Sequence, residues 1–329
     1  MSDLDFLARL QAAASDEERQ WLVTERLLDS LPADLRQMAW AAAVPHWFDA
    51  DLLAALRPEL ADRSAGLYED LKRLPFVEPF QGRGHNVHEL TRRLMLMQLW
   101  NNHKKDYIGL SRRAANYFDK HSIAVPSSPK NNFFQKALTG FARWLLQKAG
   151  PNIPSRLVNP SLKVEFIYHL LIANPGKGAD AVRDTGLVWH DEFDYTYTNL
   201  RALTRIVREH AIENRVSGLA VGWGKYWEAV LLSSNYEQSQ AFSLFQEIDK
   251  YCDDKELGAR VLRRLGDLHL QLSELPEARA RYEEALPIYR AIGDKLGEAN
   301  CIKSLGDVHT RLSELPEARA RYEEALPIY

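Results

Sequence analysis

The sequence predicts a mainly α protein in two parts: a winged-helix-like front domain, and behind it an αα-superhelical solenoid. Three observations carry this expectation. Apolar residues return at mixed spacings of three and four over most of the chain, the signature of helices with one buried stripe. One short stretch, FVEPFQGRGHNVHEL, reads instead as a hairpin turning on Gly82, Arg83 and Gly84. Near the end, the seventeen residues SELPEARARYEEALPIY occupy 273–289 and return unchanged at 313–329. A repeat of that length is decisive for the fold, because stacked copies must bury a shared core.

Taken in order, residues 1–30 form an N-terminal helical segment. Residues 31–125 form the winged-helix-like domain, with an alanine-rich helix at 35–43, a second at 49–56 capped by Asp49 or Asp51, and a third at 64–74. The hairpin follows, and helices at 90–100 and 111–118 close the domain. Residues 126–212 read as irregular helical repeats, with helices at 133–148, 162–173 and 198–212 separated by turn-rich pieces such as NPGKG. The array proper runs from 213 to 329. Its first unit is degenerate, with Trp223, Tyr226, Trp227 and Val230 lining one helix, Asn235 and Tyr236 at the turn, and Phe242, Phe245 and Ile248 in the second helix. The next unit has Val261, Leu262, Leu265, Leu268 and Leu272 on a helix over 258–272, then Ala278, Tyr282, Ala285 and Ile288 on one over 276–288. Ser273 and Glu274 carry turn and cap chemistry, and Pro276 suits a first helical turn. Gly266 lies inside a helix, where glycine costs about 1 kcal/mol relative to alanine; the return is close approach of the neighbouring helix.

These residues resemble the tetratricopeptide repeat family, whose pattern is a Leu-Gly pair in the first helix and small, aromatic, small residues in the second. Leu265, Gly266, Ala278, Tyr282 and Ala285 match in one copy, and Leu305, Gly306, Ala318, Tyr322 and Ala325 in the other. His269 and His309 stand where the family prefers tyrosine. The period is forty residues, with RAIGDKLGEA lengthening the second helix or the connection. The front domain is similar to the winged-helix segment that follows the nucleotide-binding core in signal-transduction NTPases of the nucleotide-oligomerisation class, many of which end in such arrays. The phosphate loop GxxxxGK[ST] does not occur; NPGKGAD lacks both the spacing and the hydroxyl that would touch magnesium. The resemblance therefore implies sensor and linker parts without the motor. The second copy stops at Tyr329, which predicts a longer natural protein and an uncapped repeat face open to self-association.

Composition narrows the function. With 42 Lys and Arg against 45 Asp and Glu, the net charge of −3 disfavours a nucleic-acid coat. The two cysteines, Cys252 and Cys301, exclude a disulfide scaffold and a four-cysteine zinc site and fit a reducing compartment. The start has no basic region leading into an apolar run, and no stretch reaches about 18 apolar residues. The reading is a cytoplasmic protein with no membrane segment.

No residue set anchors catalysis, so no cofactor is expected. The clusters His85, His88, Glu89 and His190, Asp191, Glu192, Asp194 lack metal-ligand spacing and read as a solvated hairpin and an acidic helix N-terminus. The better lead is the concave face of the array: Arg260, Arg263, Arg264, Asp267 and Gln271 in one unit, Asn300, Lys303, Ser304, Asp307 and Arg311 in the next. That groove reads as locally basic, and is either simply a solvated face or one suited to carboxylates of a protein or acidic peptide. The leading function is a non-enzymatic interaction scaffold or regulatory fragment. A DNA-binding regulator is the alternative, with Arg83, Arg92 and Arg93 as backbone contacts, against a candidate recognition helix that sets Glu69 and Asp70 beside Lys72 and Arg73. Homotypic assembly is the third.

Overall fold

The structure, a computed structural model, describes residues 3–122, 158–191, 197–251 and 253–329. It divides into two compact units, Met1–Gly178 and Ala179–Tyr329. The helix expected at 133–148 lies outside the described residues.

In the first unit, α1 (Asp3–Ala12) and α2 (Asp16–Ser30) lead into α3 (Ala33–Ala42) and α4 (Ala50–Leu56). The start of α2 is fixed reciprocally: Ser15 accepts from the Glu18 amide at 3.1 Å while the Glu18 carboxylate accepts from the Ala14 amide at 2.8 Å. Asp49, rather than Asp51, caps α4, accepting from the Leu52 amide at 2.8 Å. A 3₁₀ turn (Pro58–Arg63) joins α4 to α5 (Ser64–Leu71), which is shorter than the span expected from periodicity because its last turns tighten. The amides of Arg73 and Leu74 bond three residues back, to Asp70 and Leu71.

The hairpin pairs β1 (Val77–Phe80) with β2 (Gly84–Val87), Val77 opposite Val87 and Phe80 opposite Gly84. Phe48 bridges to His85 beside it, exchanging both backbone hydrogen bonds. Only glycine fits at Gly84: its φ is 96°, and a Cβ would lie 2.4 Å from the Phe48 carbonyl oxygen. Then come α6 (Glu89–Asn102), α7 (Lys104–Ser122) and α8 (Pro160–Ala173). Met38, Phe48, Leu53, Met95, Tyr107 and Phe118 fill the core of this winged-helix-like unit. α8, expected as part of the irregular repeats, packs instead along α7, with the His169 ring stacked on Phe118 at 5.6 Å.

NPGKG is not a loop. Asn174 ends α8 and its side chain accepts from the Lys177 amide, and Pro175 opens α9 (Pro175–Asp191), where a missing N–H costs nothing. His190 and Asp191 therefore sit at the C-terminal end of α9 rather than at a helix N-terminus, while Glu192 and Asp194 lie outside the described residues.

The second unit continues with α10 (Thr198–Ile212), α11 (Leu219–Ser234), α12 (Gln238–Tyr251), α13 (Lys255–Gln271), α14 (Leu275–Ile292), α15 (Lys295–Arg311), α16 (Leu315–Ala325) and a 3₁₀ turn (Leu326–Ile328). Three pairs share one turn. Tyr236, Ser273 and Ser313 take φ of 64°, 63° and 61°, and the amides of Glu237, Glu274 and Glu314 reach back to the carbonyls of Leu232, His269 and His309. The α11–α12 pair thus has the same turn as the two duplicated pairs. Of RAIGDKLGEA, Arg290, Ala291 and Ile292 extend α14, Gly293 ends it at φ 76°, Asp294 caps α15, and the last five residues form the first turns of α15.

A charge-paired face on the first helices of the repeats

The first helices of successive units lie side by side, positioned by the pairs that join them. Arg311 on α15 donates to the Leu270 carbonyl on α13 at 2.7 Å, and Arg260 on α13 pairs with Asp294 at the start of α15 at 3.2 Å. Their apolar stripes, Leu262, Leu265, Leu268 and Cys301, Ile302, Leu305, are buried. The remaining positions of these helices carry the residues expected to form a groove.

Most of those residues are already engaged. Arg260 also meets Glu256 at 3.1 Å, Arg263 meets Asp267 at 3.3 Å, and Lys303 meets Asp307 at 3.0 Å. Arg264 donates to His190 Nε2 at 3.0 Å and lies 3.8 Å from Asp267. Burial opposes the Arg263 charge, but Asp267 beside it outweighs that and the group stays protonated. The locally basic groove expected from the sequence is therefore neutralised from within. Gln271, Lys303 and Arg311 are exposed, while Asn300 and Ser304 are half-buried. Asn300 accepts from the Tyr329 hydroxyl at 2.7 Å.

Asp267 and Asp307 have a second task that sequence reasoning missed. Tyr282 OH donates to Asp267 at 2.9 Å and Tyr322 OH to Asp307 at 2.7 Å, tying the two helices of each unit together. Burial, with Asp267 next in effect, pushes the Tyr282 hydroxyl far up, so it stays a donor. The signal was present in the sequence, because both pairs sit at the same separation within a duplicated unit. His269 and His309 likewise serve the turn, each Nδ1 meeting the Glu274 or Glu314 carboxylate at 2.6 Å.

The other candidates fall into structural roles. Arg92 is buried: it donates to the carbonyls of Pro45 and Val44 at 3.1 and 3.2 Å and to Tyr168 OH at 2.8 Å, so it is not available to a DNA backbone. Arg93 pairs with Glu17, and Arg83 lies 5.7 Å over the Trp47 ring. Nδ1 of His85 meets Tyr68 OH at 2.7 Å. The Cys301 thiol is buried, which pushes it up to about 12 and away from nucleophilic chemistry. Cys252 lies outside the described residues. Among the described residues no group of three or more His, Cys, Asp or Glu could hold a metal ion, and no helix is long and apolar enough to cross a membrane.

No curated protein matches the chain in sequence. Among solved structures it is similar to a signal transduction ATPase with numerous domains, carrying a tetratricopeptide repeat sensor, from Pyrococcus horikoshii. The two share 15% identity at a TM-score of 0.38, over 96% of this chain and 53% of that one. The chain thus spans about half the length of that protein. Residues 257–329 match the tetratricopeptide repeat family. The duplicated helix pairs, with Gly266 and Gly306 against Tyr282 and Tyr322, are those of a tetratricopeptide repeat region at the C-terminal end of the chain.

Proposed function

We propose that the protein is a non-enzymatic interaction scaffold of a reducing, cytoplasmic setting, and that the first-helix face of its repeat array receives a peptide or protein partner. The observation that supports this most is the pattern of exposure. Gln271, Lys303 and Arg311 stand exposed on adjacent helices whose backbones are held in fixed register by Arg311 and Arg260. A rigid, prearranged row of side chains lowers the ordering cost of binding. Because Arg260, Arg263 and Lys303 each face a carboxylate, an acidic peptide would exchange partners with those pairs rather than meet bare positive charge. The reading is therefore of moderate affinity with marked salt dependence.

Panning a random peptide library against the protein tests it. Binders should be enriched in Asp and Glu and should be lost to Lys303→Glu and Arg311→Glu, with the melting temperature of each variant measured alongside, because Arg311 also donates to the Leu270 carbonyl and Lys303 pairs with Asp307. Binders indifferent to both substitutions, or none at low salt, would sink the proposal.

A further inference from the structure

The first-helix face is not open along its whole length. Tyr236 and Ser273 hold the same place in their turns, so counting back from each sets Trp223, Tyr226 and Trp227 on α11 where α13 has Arg260, Arg263 and Arg264. All three aromatic side chains are buried. What covers Trp227 is α9, which from Ala179 onward belongs to the second unit. The Trp227 indole donates to the Val182 carbonyl at 3.2 Å, and its ring lies so near Gly186 that a Cβ there would come within 2.2 Å of it. The same helix reaches α13 through polar side chains. Arg183 lies 3.6 Å from Glu256, and His190 Nε2 accepts from Arg264 at 3.0 Å.

We propose that α9 is an autoinhibitory occupant of this face, and that a carboxylate of the partner displaces it by taking Arg264 from His190. The inference rests on the reading that the first-helix face receives an acidic peptide, and deepens it by naming the residue where binding begins. Arg264 is poorly satisfied in its present contacts. Its Nε is buried with no hydrogen-bond partner among the described residues, Nη2 donates to the lone pair of a ring nitrogen, and Nη1 stands 3.8 Å from Asp267. A carboxylate accepts from Nε and Nη2 together, a bidentate pair of charge-assisted bonds that an imidazole cannot match. The second polar tie of α9 to α13 is weak. Arg183 also meets Asp184 at 2.8 Å and Asp180 at 3.4 Å, and all these groups are partly exposed, so giving up Glu256 costs little. The hold on α11 is apolar and demands glycine at 186, where any larger residue would push α9 off the tryptophan.

The test uses the whole protein, fluorescein-labelled hexaglutamate as the probe, and hydrogen exchange read by mass spectrometry. Gly186→Leu should strip protection from the α9 amides while those of α11 and α13 stay protected. It should also tighten hexaglutamate binding at least about tenfold, because apparent affinity rises with the fraction of molecules whose face is open. His190→Ala, which removes only the ring on Arg264, should tighten binding about threefold for the same reason. Arg264→Gln in either background should cancel the gain. Loss of protection that spreads from α9 to α11 and α13 would make α9 a fixed member of the packed array and overturn the proposal. So would an affinity that neither Gly186→Leu nor His190→Ala raises. In that case, binding still lost to Lys303→Glu leaves the scaffold reading standing without its occupant, whereas no binding by any of the proteins removes both.

Discussion

Gly266 shows how far one residue can be read before the structure is seen. Glycine in mid-helix implies a neighbour that comes too close for a side chain, and that neighbour is Tyr282, whose Cε1 would lie 2.6 Å from an added Cβ. Gly258 is also helical, but nothing lies within 4 Å of its added Cβ. The two therefore respond oppositely to the same change. Gly266→Ala should destabilise by about 1–3 kcal/mol through overpacking, and Gly258→Ala should stabilise by about 0.5–1 kcal/mol through helix propensity. Urea denaturation followed by circular dichroism checks both, and equal shifts would refute the packing explanation. Asp267 marks where residue-level reading stops. Its place on an exposed stripe of a helix suggests a ligand contact, whereas the Tyr282 hydroxyl and the Arg263 guanidinium occupy it within the chain. Arg92 follows the same rule: beside Arg93 and just after the hairpin it reads as solvated, whereas it donates to the carbonyls of Val44 and Pro45.

At the scale of elements, the turn between paired helices carries the most information. Ser273 and Glu274 were legible as turn residues, but the left-handed backbone at Tyr236, Ser273 and Ser313 was not, since none of these is glycine. A left-handed conformation costs an L-residue about 1–2 kcal/mol, and glycine returns about 0.5–1 kcal/mol of unfolded-state entropy. Ser273→Gly and Tyr236→Gly should each stabilise by a net of about 0.5–1 kcal/mol. Thermal melts of the single variants test this, and a lowered midpoint would mean that the side chain, not the backbone, holds the turn. The degenerate pair α11–α12 keeps this turn while losing the Leu-Gly signature. Its helices bury the small residues Ala229 and Ala241 and the aromatic Phe245.

At the scale of the molecule, each unit contains a buried glutamate held as a carboxylate. Glu165 on α8 is pushed up by burial, but His46 at 2.9 Å, then His169 and Arg92, pull its pKa below the ordinary 4.5. Glu298 on α15 is lowered by hydrogen bonds from Lys295 and then Arg290, each at 2.9 Å. A carboxylate depressed on folding contributes stability in full above its unfolded value, near 4.5, and loses it as pH falls through the folded value. The melting midpoints of both units should therefore hold steady from neutral pH down to about 5 and fall below about 4.5. Glu165→Gln and Glu298→Gln should each flatten that fall. A midpoint unchanged under acid would show that neither carboxylate contributes.

What the sequence determined by itself was the solenoid and its register, because a seventeen-residue duplication with small and aromatic residues at helical spacing has one way to bury itself. The hairpin was equally plain, since Gly82 and Gly84 supply positive φ at 77° and 96°. Only the tertiary structure decided which charges remain free. Whether Arg263 meets a ligand or Asp267, whether Arg92 meets water or the carbonyls of Val44 and Pro45, and whether α8 joins the repeats or α7 all depend on residues distant in the chain or on the neighbouring helix. Hydrophobic period is a local property that sequence carries directly, whereas the partner of a charge is set by where packing leaves its long side chain.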